Sequence, residues 1–490
     1  MTRTIVERLS TFAIQSEFKK LPPAVVDECK RLLLDSIGCA LGGIDHPKGR
    51  IGVDYGRSIS GGDGAATIIG SHHRGSVLGA AFANGELINA LDFDAILPPG
   101  HVSPYVMPAA LAVAEGSGAT GRDVINAMAV SHEMSYRLGK AMDYLRDVKD
   151  GQVSPPKVYG YSSTTFGATA AIGMLKGFSA DTLGHALGIA GCIAPVNSHR
   201  AWCQHAPSTT IKYLMAGALV QSALTAAAMA ELGHRGDLQV LDDPEFGFPR
   251  FIGSTRWVPG PITDQLGVEW RFPAEQAYKP YPHCRILHAL LDCLIHVIEE
   301  HDIQPHEIVG IKALVEGFVH QPIWLMNDIS DVTDAQFSIA HGLALGAHRV
   351  PPGKAWQDPE LVFSQSVLDL MRKVTHELHP DYVALLTGHA ASRPARIEVR
   401  ARGQTFVAER RYPKGSPSPE PETTMTTQEL VHKFRRNAEG VLPAANVDHV
   451  VHALLNLEDI DDFASLMRQL SPAAAEKVAV RPDAQVAHAK

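Results

Sequence analysis

The stretch Ile211-Lys-Tyr-Leu-Met-Ala-Gly-Ala-Leu-Val-Gln-Ser-Ala-Leu-Thr-Ala-Ala-Ala-Met-Ala-Glu-Leu232 decides the fold class. Its residues are small or apolar on nearly every side, which describes a helix buried among other helices. Gln221 and Glu231 interrupt the apolar run that starts at Tyr213, so it reads as an interior helix and not as a membrane span. The same Ala-rich, Gly-punctuated texture fills 77–90, 106–115, 122–142, 165–176 and 180–193. Small residues on several faces let helices pack closely, and a large all-helical core fits this better than a sheet.

Working outward, residues 5–20 and 24–42 carry apolar positions at helical spacing (Val25, Val26, Cys29, Leu32, Leu33, Ile37, Leu41), separated by Pro22-Pro23. Residues 51–75 are Gly-rich around a strand-like Ala65-Ala-Thr-Ile-Ile and read as a surface excursion. The character changes after Pro259-Gly260-Pro261. Val268-Glu-Trp-Arg-Phe, Ile308-Val-Gly-Ile-Lys-Ala-Leu-Val-Glu, Ala395-Arg-Ile-Glu-Val-Arg-Ala and Thr405-Phe-Val-Ala-Glu-Arg-Arg-Tyr read as strands, the last two joined as a hairpin through Arg402-Gly403-Gln404. Helical spacing recurs at 285–301, 338–347 and 359–375. Residues 413–421 form a Pro/Ser linker. Helical runs return at 427–439, 444–455 and 461–470, and the stretch from 472 to 490 reads as frayed. The expectation is a mainly α chain: a large helical domain over 1–261, a smaller α+β lid domain over 262–414, and a helical part over 415–490 that packs back on the first.

Composition narrows the function. At 490 residues the chain exceeds one ordinary core. Hydrophobic residues at 45% and charged residues at 20% describe a well-packed soluble protein, expected in the cytoplasm. A net charge of −9 with no basic stripe argues against nucleic acid as a partner. The six cysteines form no CxxC pair, the N-terminus has no apolar signal core, and no GxGxxG, P-loop or HExxH occurs among the glycines and the 24 histidines. No metal site is expected.

The chemistry concentrates where the helical run 77–90 meets the next, in Asn89-Ala-Leu-Asp-Phe-Asp-Ala-Ile-Leu-Pro-Pro-Gly-His-Val-Ser-Pro104. Asp92, Asp94, His101 and Ser103 sit on a Pro/Gly-braced loop between two buried helices, an arrangement suited to general acid–base work. Equally, Asp92 reads as a helix cap and His101 as a structural histidine. Lys212, in its apolar surroundings, either snorkels to water or holds a carboxylate in a pocket. Lys279 and Arg285, near His288, suit carboxylate binding.

Four segments together resemble the MmgE/PrpD family: Leu91-Asp-Phe-Asp followed by His101; Ala186-Leu-Gly-Ile-Ala-Gly; Ile211-Lys-Tyr-Leu-Met-Ala-Gly with its Ala-rich helix; and Lys279-Pro-Tyr-Pro-His-Cys-Arg-Ile-Leu-His288. The resemblance runs over about residues 5–460. It implies a helical domain interrupted by an α+β lid, a homodimer, no cofactor, and a small di- or tricarboxylate substrate. By position it assigns Asp92, His101, Lys212 and His288 to the site. His101 would then shuttle the proton, Asp92 would fix its tautomer, and Lys212 would bind carboxylate or enediolate. The chain departs from the family pattern at Asp94-Ala95-Ile96, where an Asp-Asp-Thr continuation is usual, and in a gap to His101 that is one residue short. It departs again at Ser162 and Met215, which replace histidines, and at His341, which replaces a tyrosine. His341 or His288 is expected to be the second proton donor. Ser103, Ser162, Arg200 (beside His199), Lys279 and Arg285 are expected to bind substrate. Dehydration leads this reading, with epimerisation or isomerisation, decarboxylation and a non-catalytic carboxylate binder as alternatives.

Overall fold

The computed structural model describes residues 3–472 except 63, 143–146, 150–151, 155–157, 159, 197–202 and 390. The N-terminal half is helical: α1 (Ile5–Gln15), α2 (Pro23–Gly43), α3 (Pro47–Ser60), α4 (Val77–Asn89), α5 (Ser103–Ser117), α6 (Gly121–Ala141), α7 (Thr164–Leu175), α8 (Ala180–Ile193) and α9 (Ala216–Glu231). Starts are written in side chains. Thr4 and Thr120 close capping boxes with Glu7 and Asp123, and Ser76 and Ser179 accept from the third helical N–H. In α4 every residue from Gly79 to Asn89 is buried, and in α5 every residue from Ser103 to Glu115, so these two helices run through the middle of the core.

The surface excursion expected over 51–75 is replaced by α3. Its glycines sit three and four apart and face α4. A Cβ on Gly52 would lie 2.4 Å from the Glu86 side chain, and one on Gly56 2.4 Å from the Gly79 carbonyl. The glycines serve close helix approach and not a loop. Among the described residues of 61–75 only Ala66–Thr67 and Arg74–Gly75 pair, as a two-residue ladder.

The strand expected at 268–272 is also absent. That segment turns, then forms the short helix Phe272–Glu275, and its backbone is held by helices: Arg137 donates to Asp264 O (2.6 Å) and Glu269 O (2.7 Å), and Arg8 to Thr263 O (2.9 Å). Trp270 packs against Phe12 of α1.

A smaller sheet-containing domain follows. After α10 (His288–Glu300), β1 (Ile308–Val315) leads through α11 (Ile339–Ala347) and α12 (Gln365–Met371) to β2 (Val374–Leu378), then to the hairpin β3 (Ala395–Ala401) and β4 (Gln404–Arg410). The order is β4-β3-β1-β2, with β1 and β2 parallel and the other pairs antiparallel. Ile311 pairs with Val374 on one side and Val399 on the other. The run expected as one helix over 359–375 is instead the short helix Pro359–Val362, α12 and β2, because a parallel partner for β1 needs the crossover that α11 and α12 supply. The last helices, α13 (Thr427–Ala438), α14 (Ala444–Leu455) and α15 (Phe463–Arg468), return to the helical half: Gly38 of α2 faces Phe434, and Ala119 O accepts from Phe463 N. The Pro/Ser stretch is docked, since Tyr278 N donates to Gly415 O and Ser416 is buried. Among the described residues no helix is long and apolar enough to cross a membrane.

Candidate active site

The centre forms where α4 ends. Its last carbonyls would be orphaned in a dry interior, and they are capped by side chains from elsewhere. Lys212 Nζ donates to Asn89 O (2.6 Å) and Ala90 O (3.0 Å), Gln336 to Ala90 O (2.8 Å), and Gln357 to Leu91 O (2.7 Å). The negative end of a helix suits a buried ammonium. Lys212 does not lie in the helix its apolar neighbours suggest. Residues 210–213 turn, Lys212 takes φ 56°, and α9 begins only at Ala216. Ile211 and Met215 are consequently exposed while Lys212 is buried. Asp92 also has a positive φ, 53°. Two non-glycine residues in the left-handed region at one centre mark strain held by surrounding contacts.

Asp92 is fully buried and multiply partnered. Lys279 Nζ donates to its Oδ2 (2.7 Å) and its backbone O (2.7 Å), Tyr213 OH donates to Oδ1 (2.8 Å), and Lys212 Nζ stands 3.9 Å from Oδ1. Burial opposes ionisation, but Lys279, Lys212 and His101 outweigh it and hold this carboxyl well below the usual carboxylate range. Burial lowers Lys212 to about 7, with Asp92 pulling the other way.

His101 is not oriented by Asp92. Its Nδ1 donates to Asp94 Oδ2 at 2.6 Å, while Nε2 lies 3.9 Å from Asp92 Oδ1. Asp94 therefore fixes the tautomer, and Nε2 is the nitrogen left for proton exchange. The imidazole stacks on Tyr213 at 4.4 Å. The short ladder Ile96–Leu97/Gly100–His101 delivers it, and Gly100 is required there. At φ 150°, a Cβ would come within 2.4 Å of the Tyr161 ring.

Behind Asp92 stands a group of neutral histidines. His283 Nε2 donates to Ser338 O (3.2 Å), His288 Nε2 to His283 O (2.9 Å) and His341 Nε2 to Val362 O (3.0 Å). Each buried Nδ1 lacks a partner among the described residues. Burial lowers His283 and His341 to about 4 and His288 well below its ordinary value. His283 is the member that feels both Asp92 and Lys279, and its Nε2 edge stands against Gly342 of α11, where a Cβ would lie 2.6 Å away. A neutral imidazole has one N–H, and in His288 and His341 it is committed to a carbonyl. This geometry does not supply the second proton donor expected of those two.

The substrate-binding candidates divide. Lys279 belongs to the centre. Ser103 Oγ is spent on His132 Nε2 (3.3 Å), Ser162 Oγ donates to Pro195 O (2.6 Å), and Arg285 donates to Ser416 Oγ. Arg200 and His199 lie outside the described residues. The sequence reading missed Tyr213, His283, Gln336 and Gln357, and it counted Asp94 among the loop's acid–base groups without making it the partner of His101. Tyr213 and His283 were within reach, standing inside the quoted Lys-Tyr and Pro-His-Cys-Arg segments. Among the described residues no group of three or more His, Cys, Asp or Glu is placed to hold a metal ion.

Comparison with known proteins matches this architecture. The MmgE/PrpD N-terminal domain matches residues 7–258 and the MmgE/PrpD C-terminal domain residues 281–457. The chain is similar to cis-aconitate decarboxylase of Homo sapiens, 25% identical over 501 residues that cover 98% of this chain and 97% of that protein. It is also similar to the cis-aconitate decarboxylases of Mus musculus (24% over 494 residues, 96% and 94% covered) and Aspergillus terreus (25% over 487 residues, 92% of each). With one family description covering more than half of the chain and a second most of the rest, the chain belongs to the MmgE/PrpD family.

Proposed function

We propose that this protein is a lyase for a small di- or tricarboxylate, and that loss of CO2 ranks ahead of loss of water. The observation that supports the reading is the Asp94–His101 pair: one imidazole with a fixed tautomer, its free Nε2 beside Asp92, Lys279 and Lys212. In decarboxylation one substrate carboxylate leaves as CO2, and the bonding electron pair passes to a carbon conjugated with a second carboxylate. The Nε2 proton of His101 in its doubly protonated form quenches it, leaving a neutral ring whose Nδ1–H stays on Asp94 and whose Nε2 takes its next proton from solvent. Lys212 would hold the remaining carboxylate as charge builds on it. Dehydration needs a base for the α proton and a separate acid for the departing hydroxyl. His283, His288 and His341 serve poorly as that acid, because each presents a lone pair where an N–H would be needed. The names of the full-length relatives point the same way. The sequence alone ranked dehydration first.

The test is NMR of the purified protein with a panel of tricarboxylates and hydroxy-dicarboxylates, cis-aconitate included. A product one carbon shorter, lost with His101→Ala and Lys212→Ala, is the expected result. A new olefin of unchanged carbon count would move the assignment to dehydration, and epimerised substrate would move it to isomerisation. No change across the panel would overturn the lyase reading. We further propose a homodimer, which light scattering would show as twice the chain mass.

A further inference from the structure

The centre is braced from below by a residue far away in sequence. Lys433 of α13 is buried, and its ammonium donates to three segments at once: Asp35 Oδ1 of α2 (2.7 Å), Phe93 O (2.6 Å) and Lys279 O (3.1 Å). An ammonium has three N–H groups, so all three are used. The Phe93 ring lies under it, 3.8 Å from Nζ to centroid. The second oxygen of Asp35 accepts from Ala95 N (3.1 Å). Asp94 is thus clamped on both flanks: the carbonyl before it is held by Lys433 and the amide after it by Asp35. The same ammonium holds the backbone of Lys279, whose side chain holds Asp92. The clamp is itself fixed, because α13 crosses α2 so closely that a Cβ on Gly38 would stand 3.1 Å from the Phe434 backbone.

We propose that Lys433, acting with Asp35, is a positioning residue that sets the Asp94–His101 geometry and the placement of Lys279 on Asp92. The effect on rate rests on the lyase reading above; the effect on His101 does not. The titratable groups facing the pair are Asp94, Cys39, Glu28 and Tyr278.

The experiment replaces both charges together, Asp35→Leu with Lys433→Met. Removing a buried ion pair in favour of apolar residues of similar size commonly leaves the fold intact, whereas removing one partner strands the other. Two readouts are taken on the full chain: kcat and KM on whichever substrate the parent turns over, and the imidazole signals of His101 in 15N-histidine-labelled protein, assigned with His101→Gln. The expected result is a folded variant with kcat down about 10- to 100-fold and KM little changed, as for a misplacement of about 1 Å. The Nδ1–H signal is expected to shift or vanish as the bond to Asp94 loosens. A folded variant with parental kcat and an unchanged His101 signal overturns the proposal. So does a lowered kcat with an unchanged signal, since the effect would then bypass the dyad. If the double variant does not fold, near-isosteric Asp35→Asn decides by the same criteria. If the parent turns over nothing, the lyase reading fails and the His101 signal alone still decides this one.

Discussion

Two polar regions lie side by side in this protein and are built on opposite rules. Around Asp92 the groups are charged and partnered: one carboxylate with Lys279, Lys212 and Tyr213, another with His101. Around His283 the groups are imidazoles without charge, each giving its N–H to a carbonyl and keeping an Nδ1 with no partner among the described residues. Both regions are buried, so exposure does not separate them. What does is the supply of counter-charge. Where lysines and carboxylates arrive from α2, the end of α4, the 210–213 turn and the Lys279 segment, ions persist. Where only carbonyls are offered, desolvation wins and the rings stay neutral. The first region is equipped for the proton transfer proposed above, and the second offers acceptors.

The comparison breaks most visibly at Lys279. Lys279→Met strands the Asp92 carboxylate, and a loss of about 3–5 kcal/mol is expected, read as a fall in melting temperature together with loss of activity. Tyr213→Phe, removing one neutral donor from the same carboxylate, should cost far less. Next comes His101→Ala, for which the main expected effect is on rate, about 10²–10⁴-fold, with a folded protein whose melting temperature is lowered because the buried Asp94 carboxylate loses its 2.6 Å partner. The matching change in the neutral region, His341→Leu, should do the reverse: activity within a few-fold of the parent, and a stability loss of about 1–3 kcal/mol from the abandoned Val362 carbonyl.

The pH responses of the two regions should also differ. His283 and His341 are depressed from 6.5 to about 4, so the unfolded chain takes up protons before the folded one. Their contribution is complete above pH 6.5 and is lost as pH falls toward 4, on the order of 3 kcal/mol for each. Melting curves between pH 6.5 and 4 should therefore be steep for the parent and shallower for His341→Leu. Lys212, lowered from 10.5 to about 7, gives the opposite functional sign. It sheds its charge as pH rises through 7, so kcat/KM should decline there, while folding stability gains toward pH 10.5 as the burial cost of that charge is relieved. In Lys212→Arg the decline should move to higher pH. A parental profile flat from pH 6 to 9 would remove Lys212 charge from the account. This is the smallest effect of the set.

Much of the fold was legible because its signals are local. Alanine-rich helices, Thr and Ser caps, and the Arg402–Gly403 hairpin turn are written within a few residues of where they act. The failures have non-local causes. Gly52 and Gly56 look like loop residues until Gly79 and Glu86 of α4 are placed against them. The apolar run through 211–215 looks helical, but Lys212 leaves that pattern because the end of α4 needs capping. β2 exists only because β1 offers it a parallel edge. At the site, Asp92 and His101 were readable as chemistry-bearing types on one loop, Lys212 as a lone cation in apolar sequence, and Lys279 as a cation near Arg285 and His288. That Asp94 and not Asp92 grips His101 depends on the strained backbone at Asp92. Gln336, Gln357, Asp35 and Lys433 carry no sequence signal for their contacts, since each is an ordinary polar residue that acquires its partner only in the folded chain.

The most direct test of the central claim, proton delivery by the Asp94–His101 pair to a carbanion next to a carboxylate, is turnover in deuterated buffer with NMR of the product. One deuterium per product molecule is expected, on the carbon next to a remaining carboxylate. Product formation in His101→Ala is expected to fall at least about 100-fold while the fold is retained. Product formed by His101→Ala at the parental rate, or product carrying no solvent deuterium, would contradict that claim.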